Sequence, residues 1–225
     1  MADRWLTFDC YGTIADWDTG MRRALEPVAG AQQAPRLLAA YHRAELELEA
    51  GPGWMPYREV LTSGLAWAAE REGIRLPADA GETFVRAWPD MPVFDDAGSA
   101  LTALKEQGWK LAILTNCDDD LFAATRPRLP VPFDEVVTAQ QVGSYKPDLA
   151  HFRAFADKAG VTRSSWIHVA NSWVHDILPA ARMGLRSIWV DRDLTGHPAR
   201  LAERRITAMR RLPETVDAVG AIMPR

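Results

Sequence analysis

Polar and apolar positions divide the chain into three stretches of different character. The first is short. Trp5-Leu-Thr-Phe8 is mostly apolar, runs into Asp9 and breaks at Gly12, the profile of a buried strand that delivers one carboxylate to a sheet edge. The second stretch is helical throughout. From Thr19, Met21, Ala24, Leu25 and Val28 share one helix face up to Gly30. A second helix over about 35–50 carries Leu37, Leu38, Tyr41, Ala44, Leu46 and Leu48 and is closed by Gly51-Pro-Gly53. A third over 57–72 presents Val60, Leu61, Leu65, Trp67 and Ala68 and stops at Gly73; a short fourth over 83–88 ends at Pro89. No strand pattern appears between about 16 and 92.

After residue 92 strands and helices alternate. Helices are predicted over 98–107, 121–126, 149–159 and 175–183, and strands over 110–114, 135–138, 166–170 and 186–190. That alternation predicts βαβ units around a parallel sheet. The tail, 198–225, has helical and short-strand character with no evident place in the pattern. The expected architecture is α/β: a Rossmann-like core of 1–16 and 93–225, with a helical block of 17–92 inserted behind the first strand.

Several predicted strands run directly into polar residues. Lys110-Leu-Ala-Ile-Leu114 leads to Thr115-Asn116, Trp166-Ile-His-Val-Ala170 to Asn171-Ser172, and Val136-Val137 is followed by Gly143-Ser-Tyr-Lys146-Pro147. Open parallel sheets bind ligands at the carboxyl ends of their strands. Asp9, Thr115, Asn116, Lys146, Asn171 and Asp176 are therefore expected to converge. Taken singly, each has an ordinary structural role: Asp at a turn, Thr-Asn as an N-cap, Lys-Pro as a surface turn, Asp in a first helical turn.

Composition narrows the function classes. The 225 residues are 48% apolar, ample for a large core, and 30 acidic against 26 basic residues give a net charge of −4. No basic surface for tracking phosphates is evident, so nucleic acid is not an expected partner. Cys10 and Cys117 are the two cysteines, with no CxxC and no zinc-ligand spacing, as in a reduced cytoplasmic protein. No leader peptide and no apolar run of membrane-spanning length is evident, so a membrane is not an expected partner either.

The ordered set Phe8-Asp-Cys-Tyr-Gly-Thr13, Leu114-Thr-Asn116, Tyr145-Lys-Pro147 and Asn171…Asp176 resembles the four motifs of the haloacid dehalogenase superfamily. The resemblance spans nearly the whole chain and implies that the helical block is a cap over the site. Two residues favour the metal-free 2-haloacid dehalogenase branch over the phosphatases. Phosphatases of the superfamily carry an acid two positions after the nucleophile, to protonate a leaving alkoxide; here it is Tyr11, a phenol with pKa about 10. A halide leaves without a proton. Phosphatases also hold Mg²⁺ with acidic residues of the last motif, which here begins Ala170-Asn171. Without a cation, a phosphate about 4 Å from Asp9 would be repelled by about 4 kcal/mol per unit charge at an effective dielectric near 20.

The mechanism implied by the resemblance places Asp9 as nucleophile, forming an ester, with no cofactor. Lys146 stabilises Asp9, and Asp176 pairs with Lys146 and activates water. Thr13, Thr115 and Asn116 bond to Asp9 or to the substrate carboxylate, Asn171 and Ser172 orient Lys146 and the water, and Trp173 and Tyr11 wall the pocket. The expected partners are a small anionic organic acid, a halide and, through the cap, a second copy of the chain. The chain departs from the family pattern in the cap. Simple register places His42 where dehalogenases carry a halide-binding Arg, and Arg43 lies about 100° around the helix; Arg43 is the expected halide ligand because its charge is permanent. Phe152 stands where dehalogenases have a Tyr. Two alternatives remain open on sequence: a phosphatase of the same superfamily, and a fold relative that binds without catalysis.

Overall fold

The computed structural model describes residues 3–220. The first strand, β1 (Trp5–Phe8), is followed by four helices, α1 (Trp17–Ala29), α2 (Ala34–Glu49), α3 (Tyr57–Glu72) and α4 (Ala80–Arg86). The chain then alternates: α5 (Ala97–Glu106), β2 (Lys110–Thr115), α6 (Asp119–Thr125), β3 (Glu135–Thr138), α7 (Ala139–Val142), α8 (Ala150–Ala159), β4 (Trp166–Ala170), α9 (Leu178–Arg182) and β5 (Arg186–Val190). The tail supplies a sixth strand, β6 (Arg204–Ile206), and α10 (Leu212–Gly220). Residues 221–225 of that tail lie outside the described residues. Among the described residues no helix is long and apolar enough to cross a membrane.

The six strands form one sheet in the order β3-β2-β1-β4-β5-β6, every pair parallel. β1 is central, and its apolar run is buried at all four positions. Alternation sends Leu6 and Phe8 to one face, where they pack with Ile113 and Val169, and Trp5 to the other, with Ala112, Leu114, Phe152, Phe155 and Trp166. The strand order reverses direction at β1, between β2 and β4, and Asp9 stands at that switch point.

The helical insert leaves and re-enters the core at one place. Asp16 N donates to Pro92 O at 2.8 Å, and Ala15 forms a bridge with Val93. One segment differs from its pattern: 175–183 is not one α-helix but a π-turn at Trp173–Ile177 that runs into α9. Ile177 N reaches back to Ser172 O at 3.2 Å, five residues away. Pro179 has no N–H for the carbonyl of residue 175, and the widened turn sits where that donor is missing.

A buried carboxylate after β2 ties α3 to the sheet. Asp118, only 4% exposed, accepts the backbone N–H of Tyr57 and of Arg58 at 2.9 Å each, at the start of α3. Neither N–H has an acceptor within its own helix, so Asp118 both caps α3 and anchors it. Asp118→Ala should lower stability by about 2 kcal/mol, roughly 4–8 °C in Tm for a chain of this size. Asp118→Asn should lose less. Thermal unfolding is the test, and an unchanged Tm would show that the contact contributes nothing.

Candidate active site

Asp9 sits just past β1, where its own N–H still donates to Val169 O of β4 at 3.1 Å. The following Gly12 has φ +92°, and this left-handed turn brings Thr13 back over Asp9. Thr13 Oγ1 donates to Asp9 Oδ2 at 2.8 Å and accepts the backbone N–H of Asn171 at 2.9 Å. Lys146, 1% exposed, inserts its ammonium between two carboxylates: Nζ lies 3.0 Å from Asp9 Oδ1 and 2.6 Å from Asp176 Oδ1, with a third bond to Leu114 O at 2.9 Å. All three hydrogens of the ammonium are thus used.

Two buried carboxylates share one buried cation, and the trio carries a net negative charge. The electrostatics follow from that. Burial pushes the Asp9 carboxyl up from its ordinary pKa, Lys146 pulls it down, Asp176 adds to the upward push, and the net direction is upward. For Asp176 burial also acts upward, but the Lys146 charge and the His168 hydrogen bond overcome it and hold the group down to about 2. Burial works against the charge of Lys146, yet the two carboxylates raise its pKa above the ordinary value. Asp176 is therefore the firmly ionised member and Asp9 the electron pair held least tightly.

These groups line a cavity of about 760 Å³ between the sheet edge and helices α1 and α2. Asp9, Thr115, Asn116, Lys146, Asn171 and Asp176, the six residues expected to converge, all border it, as do Tyr11, Ser172, Trp173 and, from α2, His42. Several do different work from that expected. Asn116 does not reach Asp9; its Oδ1 accepts Lys146 N at 2.7 Å and its Nδ2 donates to Lys146 O at 3.0 Å, clamping the lysine backbone. Asn171 does not orient Lys146: its backbone holds Thr13, and its Nδ2 donates to Asp193 at 3.2 Å. Ser172 Oγ caps the π-turn by accepting His175 N at 3.2 Å. Thr115 Oγ1 is buried without a protein hydrogen-bond partner.

Tyr11 cannot serve as an acid. Its hydroxyl is tied to Thr125 Oγ1 at 2.9 Å and accepts Trp88 Nε1–H at 3.0 Å, and burial pushes its pKa well above that of a free phenol. Arg43 is the clear correction. It is not among the cavity-lining residues; its side chain is 59% exposed, and its guanidinium lies 3.6 Å from Glu72. His42 holds the position the simple register assigns, bordering the cavity with its ring against Trp17 and Nε2 3.1 Å from Asp18.

Sequence reasoning missed four residues. Glu45 and Glu49, one turn apart on α2, also border the cavity. Glu45 accepts the hydroxyls of Tyr41 and Tyr57, while Glu49 accepts Asn116 Nδ2 at 3.2 Å and lies 3.4 Å from His175 Nε2. Burial raises the pKa of both, Glu49 well above the ordinary range. The signal was their four-residue spacing on the side of α2 that carries Tyr41. His168 and Thr7, polar residues inside apolar strands, are both fully buried behind Asp176; a polar residue in a strand buried on both faces was their signal.

The excess negative charge makes a stability prediction. For Asp9, whose folded pKa is raised, the folded state keeps a proton that the unfolded chain releases above about pH 3.9. Stability is therefore lost as pH rises through that window, and the ionised group remains a constant cost above it. Asp9→Asn should accordingly be more stable than the parent at pH 7, read as a higher Tm. The difference should close as pH falls below about 4. A lower Tm for the variant at pH 7 would contradict this account.

Similarity to known proteins agrees with this geometry. A model of the haloacid dehalogenase-like hydrolase family matches residues 4–184. (S)-2-haloacid dehalogenase 1 of Pseudomonas sp. (strain CBS-3) is 26% identical over 192 residues, covering 82% of this chain and 83% of that protein. (S)-2-haloacid dehalogenase 4A of Burkholderia cepacia is 25% identical over 202 residues, 85% of this chain and 83% of that one. The structure of L-2-haloacid dehalogenase from Xanthobacter autotrophicus with chloropropionic acid covalently bound superposes with a TM-score of 0.80 over 96% of this chain and 98% of that one, at 19% identity, which establishes a common fold. The chain belongs to the haloacid dehalogenase-like hydrolase family.

Proposed function

We propose that the protein is a hydrolase that dehalogenates a small 2-haloacid through an aspartyl ester on Asp9. The observation that carries this reading is the locked Tyr11: the position from which a phosphatase would protonate its leaving group holds a phenol committed to Thr125 and Trp88. A Mg²⁺ ion shared by Asp9 and Asp176, the arrangement of the phosphatase branch, does not fit these residues. Lys146 Nζ already lies between the two carboxylates, and Asn171 offers an amide in place of a second acid.

In the first step an Asp9 oxygen attacks C2 of the substrate, the carbon–halogen bond breaks, and halide leaves with the bonding pair. Lys146 and Thr13 hold Asp9 in one orientation for in-line attack. In the second step water attacks Cγ of Asp9 and passes a proton to Asp176. The developing oxyanion is met by Lys146, and collapse releases the 2-hydroxyacid as its alkoxide, which takes the proton back. Relatives named as (S)-2-haloacid dehalogenases, and one whose structure holds chloropropionic acid covalently, support this chemistry. The buried, unpartnered Thr115 hydroxyl is assigned to the substrate carboxylate. The division into a core of 1–16 and 93–225 and a cap of 17–92 is part of the same proposal, supported by the closure at Asp16 and Pro92. So are a cytoplasmic location and a homodimer through the cap.

The halide is assigned to His42, not Arg43. Burial opposes protonation of His42, but the Asp18 hydrogen bond and the charges of Glu45, Asp18 and Asp193 raise its pKa above the ordinary value of 6.5. The cation is therefore present below that raised value and lost as pH rises through it. Halide and phosphate release should be assayed side by side on panels of 2-haloacids and phosphate esters, with and without EDTA. Halide release unaffected by EDTA is expected, with kcat/KM falling on the alkaline side of the His42 pKa. His42→Ala should reduce kcat/KM by about 10²-fold, and Arg43→Ala should leave it near the parent value. Phosphate release that EDTA abolishes and Mg²⁺ restores would overturn the reading in favour of a phosphatase.

A further inference from the structure

Behind Asp176 lies a hydrogen-bond chain that the two-step scheme does not use. Trp166 Nε1–H donates to Thr7 Oγ1 at 2.7 Å, Thr7 Oγ1 lies 2.8 Å from His168 Nδ1, and His168 Nε2 lies 3.1 Å from Asp176 Oδ1. Thr7 and His168 are register partners on β1 and β4, so the sheet itself sets their separation. All four side chains are buried, Thr7, His168 and Asp176 completely. The Phe152 and His168 rings meet edge to face at 5.0 Å between centroids.

The chain has a single direction. Indole N–H can only donate, so Thr7 Oγ1 accepts from Trp166 and its own hydrogen must find an acceptor. Among the described residues the one acceptor within reach is His168 Nδ1. Nδ1 therefore accepts, the ring proton sits on Nε2, and it points at Asp176 Oδ1. That oxygen now receives two hydrogens, from His168 and from Lys146 at 2.6 Å. The other oxygen, Oδ2, is buried with no protein partner, and Asp176 borders the cavity.

We propose that His168 is a positioning residue for the hydrolytic step, fixing the Asp176 carboxylate with Oδ1 pinned and Oδ2 presented to the attacking water. Lys146 alone does not do this, because its ammonium is shared with Asp9 and with Leu114 O. Release of halide in the first step needs no base, so loss of His168 slows only the second step. This inference rests on the aspartyl-ester reading.

The test uses two variants of the full chain. His168→Gln keeps an N–H donor near the Nε2 position; His168→Phe keeps the ring volume and removes the donor. With 2-chloropropionate under rapid quench, His168→Phe should release its first equivalent of chloride at close to the parent rate. Its kcat should fall by about 10- to 100-fold, the scale for losing a group that orients a reacting residue. Intact-protein mass should then show the ester accumulating on His168→Phe and not on the parent. His168→Gln should recover most of the lost kcat. Equal loss in both steps, or a Gln variant as slow as the Phe variant, overturns the proposal. A substrate-free readout separates its failure from failure of the dehalogenase reading: long-range ¹H–¹⁵N correlation spectra of the resting parent should show His168 protonated at Nε2 alone. A proton on Nδ1 overturns the proposal whether or not any 2-haloacid is turned over.

Discussion

One ammonium shared by two buried carboxylates is the constraint on which the rest of the structure depends. Lys146 is buried between Asp9 and Asp176, and its charge acts to lower the pKa of both acids. The shortfall of one positive charge gives the two acids different characters. Asp176, bonded by both Lys146 and His168, is held as an anion, while Asp9 is left with a less stabilised electron pair. A nucleophile that attacks carbon needs that lone pair available. In the proposed mechanism the energetic cost at Asp9 and its reactivity have one physical source.

Around this trio the fold supplies backbone clamps more than charges. Asn116 grips both polar groups of the Lys146 peptide, Thr13 connects Asp9 to the β4 loop, and Leu114 O takes the third ammonium hydrogen. Each lies at the carboxyl end of a strand or on the loop just beyond it, so the register of β1, β2 and β4 fixes their mutual distances. The cap contributes a different environment: His42 beside Asp18, and the carboxyls of Glu45 and Glu49, held by tyrosine hydroxyls and by Asn116. On the α2 side of the cavity His42 thus stands beside a wall otherwise rich in acid.

The core of the site was legible because each main residue follows an apolar run that ends abruptly. Asp9 after Phe8, Thr115-Asn116 after Leu114, and Asn171 after Ala170 could only lie at a common sheet edge once the strands were parallel. The roles within that edge were not legible. Whether Asn116 bonds Asp9 or the Lys146 backbone depends on fractions of a turn in loops that leave no periodic signal. His42 and Arg43 differ by one step of helix rotation, and packing decided between them: the Trp17 ring covers His42, and Glu72 draws Arg43 outward. Glu45, Glu49 and His168 are polar residues on buried faces, where a reading by hydrophobic period counts them as interruptions rather than as contacts. The tail gave no usable pattern because β6 spans only three residues, two of them exposed arginines.

The central claim is that water attacks the Asp9 carbonyl and not the substrate carbon. A single turnover of excess enzyme on 2-chloropropionate in H₂¹⁸O, followed by mass spectrometry of the peptide containing Asp9, tests it directly. The account predicts ¹⁸O in the Asp9 carboxylate and none in the 2-hydroxyacid formed during that first turnover. Label in the product with an unlabelled Asp9 would mean direct displacement by water and would contradict the covalent scheme.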